Sequence, residues 1–172
     1  ISALKAASSS LDDAIAAVAE RLKLSSTGRM IYTGAGTSAR IGVQDGVELT
    51  PTVNGPQDRL DYISAGGMEE LMQSVECAED EAEAGQKAVA LAAINEQDVV
   101  IGLAASGTTD FTIAVLAAAR QMGALTIGIA NNRATPLLSV AEYSLLLDTG
   151  GEALAGSTRL KAGTAQKICL NT

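Results

Sequence analysis

The sequence predicts an α/β fold built on a parallel, doubly wound sheet with helices on both faces, and three observations carry that expectation. Short apolar runs alternate with amphipathic helical stretches along the chain. Two loops rich in glycine and hydroxyl residues, Gly34-Ala35-Gly36-Thr37-Ser38 and Ala104-Ala105-Ser106-Gly107-Thr108-Thr109, each follow an apolar run and precede a helical stretch. Small aliphatic side chains dominate: the chain is 47% hydrophobic but 2% aromatic, so its core must be tight packing of helices laid close on a sheet. A length of 172 residues supports one full core and not two, which makes residues 1–172 a single domain.

The elements follow in order. Leu11, Ile15, Val18 and Leu22 share one helical face, with Ser10 placed as an N-cap. Arg29 to Thr33 reads as a buried strand that runs into the first loop. A helix then spans about Ala39 to Leu49 and is stopped by Pro51. Leu60 to Ser64 is the second strand, ended by Ala65-Gly66-Gly67. Met68 to Val75 and Glu79 to Ala93 read as two acid-rich helical pieces. Residues 98 to 103 form the third strand and lead into the second loop. Phe111, Ala114, Val115, Ala118 and Met122 then mark the buried face of a helix that Gly123 closes. Leu125 to Ile129 and Tyr143 to Leu147 are the fourth and fifth strands. After Asp148 the chain turns basic and hydroxyl-rich, from Gly156 to Lys167, first as a loop and then as a helix that runs to Thr172.

Composition excludes several functions. A net charge of −8 leaves no basic stripe for nucleic acid or an anionic membrane surface. No apolar run approaches the length of a membrane span and no signal peptide precedes the first helix; with only Cys77 and Cys169, a cytoplasmic location is the expectation. Histidine is absent, so acid/base chemistry falls to carboxylates, Lys, Tyr or water. Two distant cysteines make a zinc site improbable, and no metal and no cofactor is expected.

A strand, a tight glycine loop and a helix present backbone N–H groups and a helix dipole to an anion. The hydroxyls of Thr37, Ser38, Ser106, Thr108 and Thr109 add donors, so the expected anion is a phosphate held by Gly36, Thr37 and Ser38 on one loop and Ser106, Gly107, Thr108 and Thr109 on the other. Gly34, Gly36 and Ala39 also fit the dinucleotide fingerprint, but that reading needs an acid at the end of the second strand, where the chain has Ile63-Ser64-Ala65-Gly66. The second loop lacks the lysine of a P-loop, which argues against nucleoside triphosphate hydrolysis.

Several segments are similar to one family. Gly34-Ala-Gly-Thr-Ser-Ala-Arg-Ile-Gly42, Ala65-Gly-Gly67, Glu76-Cys-Ala-Glu-Asp80, Ala104-Ala-Ser-Gly107 and above all Gly156-Ser-Thr-Arg-Leu-Lys-Ala-Gly-Thr-Ala-Gln-Lys167 resemble the N-acetylmuramic acid 6-phosphate etherases of the sugar isomerase (SIS) superfamily, to which the glucokinase regulatory protein is related. The resemblance runs from about Arg29 to the chain end. It implies a five-stranded parallel SIS sheet, a phosphosugar at the strand C-terminal ends, and a homodimer whose active sites are completed across the interface.

It also implies a reaction. The family removes D-lactate from the C3 ether of the sugar by elimination from the ring-opened aldehyde, followed by addition of water. Matched to the family motifs, Glu48 is the acid that assists lactate departure and Glu79 the base that takes the C2 proton. Neighbouring Glu76, Asp80 and Glu83 are spaced to share a helical face with Glu79 and so to raise its pKa. Arg159, Lys161 and Lys167 are candidate ligands for phosphate or carboxylate, with Lys161 preferred; both cysteines read as packing. The chain departs from the family where Ser-Gly-Arg-Thr-Pro becomes Ser106-Gly107-Thr108-Thr109-Asp110, where Asn131-Asn132-Arg133-Ala134 replaces Cys-Asn-Pro-Gly, where Ala155 replaces a threonine, and in lacking the C-terminal helical extension. A non-catalytic phosphosugar-binding regulator and a phosphosugar isomerase are the alternative functions.

Overall fold

The computed structural model describes residues 1–73 and 78–172. Its five strands, β1 (Met30–Gly34), β2 (Leu60–Ser64), β3 (Val99–Leu103), β4 (Leu125–Ala130) and β5 (Tyr143–Leu146), form one sheet in the order β2-β1-β3-β4-β5, and every pair is parallel. The expected strands are found within a residue or so of their places. β3 and β4 are buried at every position, as central parallel strands covered on both faces must be.

Helices cover both faces. α1 (Ser2–Leu24), α2 (Gly36–Val53) and α6 (Lys161–Leu170) lie on the side of Tyr32, Ile101, Leu103, Ile127 and Leu145. On the other side, α3 (Ala82–Leu91), α4 (Asp110–Gln121) and α5 (Pro136–Val140) cover Ile31, Val100 and Ala130. The small residues do what composition implied. A Cβ at Gly42 would stand 3.1 Å from Tyr32 Cβ, and one at Gly102 would meet Leu116 at 2.8 Å, so α2 and α4 sit against the sheet at distances only glycine permits.

Three local expectations are corrected, and one helix is added. α1 begins at Ser2, so Ser10 lies inside the helix and caps nothing; the Ala- and Leu-bearing stretch before it is a good helix former. Pro51 does not stop α2, because it falls in the last turn, where the lost N–H costs one bond; Asn54, at φ 57, ends the helix, and its N–H donates to Thr50 O at 3.0 Å. Of the two acid-rich pieces, the end of the first, residues 68–75, lies outside the described residues, and among the described residues from Met68 to Ala93 the only α-helix is α3. Short 3-10 turns at Gly67–Leu71 and Ala78–Asp80 precede it. Finally, the five-residue α5, opened by Pro136 at a first-turn position, carries no sequence periodicity long enough to read.

The edge of the sheet opposite the two loops is pinned by one buried carboxylate. Asp98 accepts from the Arg29 guanidinium at 2.8 Å, from the Arg29 N–H at 2.9 Å and from the Asn95 N–H at 3.1 Å. Burial pushes its pKa up, yet Arg29 and these backbone donors together outweigh burial and hold it below the ordinary carboxylate value. Among the described residues no helix is long and apolar enough to cross a membrane.

Candidate functional site

Strand order fixes where a ligand binds. From β1 the chain passes outward to β2, then returns across β1 to β3, so the direction of winding reverses between β1 and β3. Open parallel sheets bind ligands at that switch point, beyond the strand C-terminal ends. The two loops singled out in the sequence leave β1 and β3 and therefore flank this crevice.

The first loop is built around tight turns. A Cβ at Gly34 would stand 3.0 Å from both Ala39 N and Leu103 O, and Gly36 has φ +54, a left-handed conformation that favours glycine. α2 starts at Gly36, so Gly36, Thr37 and Ser38 occupy its first turn, at the positive end of the helix dipole. Thr37 is half-buried beside α6. Ser38 is buried, and its hydroxyl donates to Gln166 Oε1 at 3.1 Å. The fully buried Gln166 in turn donates from Nε2 to Asn131 Oδ1 at 3.1 Å, and Asn131 Nδ2 donates to the Leu147 carbonyl at 2.9 Å.

The second loop is held from the other side. Gly107 has φ +73, and a Cβ there would stand within 2.6 Å of Thr135 Cγ2. Its carbonyl accepts from Leu137 N at 3.1 Å, while Asn132 Nδ2 donates to Ser106 O at 3.3 Å. Ser106 Oγ accepts from Thr108 N at 3.2 Å, which leaves the Ser106 proton to point elsewhere. Thr108 is exposed, and half-buried Thr109 stands at the N-cap of α4. Behind this loop a cleft of about 240 Å³ is lined by Ser106, Asn131, Asn132, Glu152, Ser157 and Thr158.

Glu152 was not singled out in the sequence. Its carboxylate accepts from Lys161 N at 3.2 Å and Ala162 N at 2.8 Å, so it fills the positive end of α6 and fixes the loop that carries Ser157 and Thr158. The Lys161 ammonium donates to the carbonyls of Thr149, at 3.0 Å, and Gly151, and so latches the same loop. Lys167 pairs at 3.2 Å with Asp45, a buried carboxylate that also accepts from Tyr32 Oη and Asn171 Nδ2, each at 3.0 Å. Arg159 is exposed. Buried Cys169 packs in the core, where burial and then the Asp45 charge push its thiol up to about 11. Neither Asp45 nor the Ser38-Gln166-Asn131 series is legible from sequence, since a polar residue on a helix reads as solvated until its neighbours are known.

The two expected carboxylates stand on different elements. Glu79 is exposed on the 3-10 turn Ala78–Asp80, which packs against α4 next to the start of α3. A Cβ at Gly85, near the start of α3, would stand 2.6 Å from Phe111 O, in the first turn of α4, so the start of α3 lies against the start of α4. Glu83 belongs to α3, where it pairs with Lys87 at 3.8 Å. The shared helical face expected for Glu79 and Glu83 is therefore absent: the chain breaks at Glu81, at ψ 82. Glu76 and Cys77 lie outside the described residues. Glu48 is exposed on α2, ten residues beyond Ser38, which is about 15 Å along the helix axis. Among the described residues no group of three or more Cys, Asp or Glu side chains is placed to hold a metal ion.

A protein from Deinococcus radiodurans named N-acetylmuramic acid 6-phosphate etherase is 48% identical over the whole chain, which covers 56% of it. Its namesake from Rubrobacter xylanophilus is 46% identical over 92% of the chain, which covers 52% of that protein. The chain thus spans about half the length of the curated relatives it matches. Among solved structures, the sugar isomerase domain of an RpiR transcription factor from Sphaerobacter thermophilus superposes with a TM-score of 0.61 at 20% identity, covering 99% of this chain and 84% of that one, which shows the fold. Residues 13–120 match the model of the glucokinase regulatory protein N-terminal SIS domain, an interval that holds both glycine loops and three of the five strands, and the chain belongs to that family.

Proposed function

We propose that this chain is the phosphosugar-binding and catalytic part of an N-acetylmuramic acid 6-phosphate etherase, a carbon–oxygen lyase. The observation that carries the reading is the pairing of the two loops at the switch point: the starts of α2 and α4 follow adjacent strands β1 and β3, and the hydroxyls of Ser106, Thr108 and Thr109 are the donors we assign to the phosphate. The relatives' shared name supplies the sugar.

With the phosphate on these loops, the ring-opened sugar extends toward Glu79. Its carboxylate takes the C2 proton, and the electron pair forms the C2–C3 double bond as the C3–O bond to lactate breaks. Glu48 protonates the departing lactyl oxygen. Water then adds at C3 and gives its proton back to Glu48, while Glu79, its proton exchanged with solvent, protonates C2; the two carboxylates balance every proton and nothing is oxidised. General acid–base catalysis of this kind contributes about 10²–10⁴-fold per group. Glu48 stands far down α2 from its own first loop, which supports a homodimer in which Glu48 of one chain serves the loops of its partner. The exposed Val47 and Val53 on the same helix offer that contact an apolar surface. A sugar phosphate substrate fits a cytoplasmic enzyme.

The family model that matches is that of a regulatory protein, which favours a second reading: a phosphosugar sensor without turnover. Lactate release from N-acetylmuramic acid 6-phosphate by the full-length protein separates the two. The etherase releases D-lactate, loses it in Glu48→Gln and in Glu79→Gln, and regains part of it when those two inactive variants are mixed. Binding without lactate release supports the sensor and overturns the etherase.

A further inference from the structure

Ser38 and Ser106 are hydroxyls on the two loops that flank the switch point, and they differ in role: Ser38 donates its proton inward, whereas Ser106 Oγ is an acceptor within its own loop. The buried series Ser38-Gln166-Asn131-Leu147 has a fixed polarity. A backbone carbonyl can only accept, so Asn131 must turn Nδ2 toward Leu147 O, 2.9 Å away. That leaves Asn131 Oδ1 facing Gln166, whose Nε2 must then be the donor, at 3.1 Å. Gln166 Oε1 consequently faces Ser38 and only accepts, so the Ser38 proton points inward, at 3.1 Å. Gln166 is wholly buried, Asn131 is 7% exposed and Ser38 5%, so water cannot replace any link and reversing one would leave two like groups facing each other. At Ser106 the order is opposite: the oxygen accepts from Thr108 N at 3.2 Å and the proton is free to leave the loop.

We propose that Gln166 is a positioning residue: through Asn131 and the Leu147 carbonyl it fixes the Ser38 side chain as a hydrogen-bond acceptor toward the crevice, so that Ser38 receives a hydroxyl or amide N–H of the bound sugar while the phosphate is held by Ser106 and its loop. This rests on the phosphosugar reading above and deepens it. A phosphate oxygen placed against Ser38 Oγ would meet lone pairs and no proton; a sugar hydroxyl or the acetamido N–H supplies the missing donor. The same relay ties α6 to the first loop and to the turn after β4, so three elements set the direction of one proton.

The test compares two ligands. Dissociation constants of the full-length protein for inorganic phosphate and for N-acetylglucosamine 6-phosphate are measured by calorimetry in the wild type, Ser38→Ala, Gln166→Met and the double variant. Each single substitution is expected to weaken the phosphosugar about 3- to 10-fold, the loss of one neutral hydrogen bond, and to leave inorganic phosphate within about twofold. The double variant should be no weaker than either single one, because both remove the same interaction. Single losses that multiply in the double variant, an equal loss for both ligands, or an unchanged Gln166→Met would each reduce Gln166 to packing and overturn the proposal. If Gln166→Met does not fold, Asn131→Ser cuts the relay one link further on and is judged by the same outcomes. A wild type that binds no phosphosugar overturns the phosphosugar reading and the proposal together, whereas phosphosugar binding indifferent to the variants overturns the relay alone.

Discussion

Gly107→Ala concentrates the account of the second loop in one methyl group. Gly107 stands at φ +73, where an L side chain costs roughly 1–2 kcal/mol. The added Cβ would also lie 2.5 Å from Thr135 Cβ and 2.6 Å from its Cγ2, well inside contact distance. Overpacking of that kind costs about 1–3 kcal/mol, because Thr135 is buried at the start of α5 and the Gly107 carbonyl is already tied to Leu137 N. The sum is about 2–5 kcal/mol. Gly36→Ala is the matched control: its φ is +54, but a Cβ there meets nothing within 4 Å, so only the backbone cost of roughly 1–2 kcal/mol applies. Urea denaturation of both variants reads the difference, and inorganic phosphate binding should fall further in Gly107→Ala, since Ser106 and Thr108 must shift with it. Thr135→Gly in the Gly107→Ala background should recover the steric part. Equal destabilisation by the two glycine substitutions, or no recovery with Thr135→Gly, would refute the claim that Thr135 fixes the loop.

Other perturbations read other parts of the structure. Asp98→Asn leaves the Arg29 guanidinium without its buried partner and should cost about 3 kcal/mol at pH 7 by denaturant titration. Because the folded pKa of Asp98 is lowered, its stabilisation is complete above the ordinary carboxylate pKa and is lost as pH falls through the folded value; melting temperatures of wild type and Asp98→Asn should therefore converge in acid. Glu79→Gln should lower lactate release by about 10²-fold or more while inorganic phosphate affinity stays put, a separation that kinetics and calorimetry together check. Cys169, buried and with its thiol raised to about 11, should resist alkylation at pH 8 until the chain is unfolded, as peptide mapping after iodoacetamide treatment would show.

What the sequence discloses depends on whether a feature is local. Leu60–Ser64 and the closing Gly123, at φ +84, stand where apolar pattern and turn chemistry put them, because each is decided by a few neighbouring residues. Pro51 misleads because its cost depends on its position in the turn, and the distance to the helix end is itself the unknown. The break at Glu81 that separates Glu79 from Glu83 is invisible for a related reason: Glu and Ala are good helix formers, and packing of the Ala78–Asp80 turn on α4 overrides that propensity. The hydroxyl loops read as an anion site in the sequence, but nothing local in it discloses that the Ser38 proton is turned inward. That direction is set by Gln166, Asn131 and Leu147, two of them more than a hundred residues from Ser38 and all brought together only by the fold. Lys161, a cation that suits an anionic ligand in sequence, donates in the structure to the carbonyls of Thr149 and Gly151, partners no local pattern discloses.

Elimination through C2 is the central chemical claim, and isotope incorporation tests it most directly. Full-length protein is incubated with N-acetylmuramic acid 6-phosphate in deuterated water, and the N-acetylglucosamine 6-phosphate formed is examined at C2. The account predicts lactate release with solvent deuterium at C2, since the proton Glu79 removes exchanges before one is returned. Lactate release with the original hydrogen retained at C2 would mean that the ether is broken without abstraction there, and would contradict the roles given to Glu79 and Glu48.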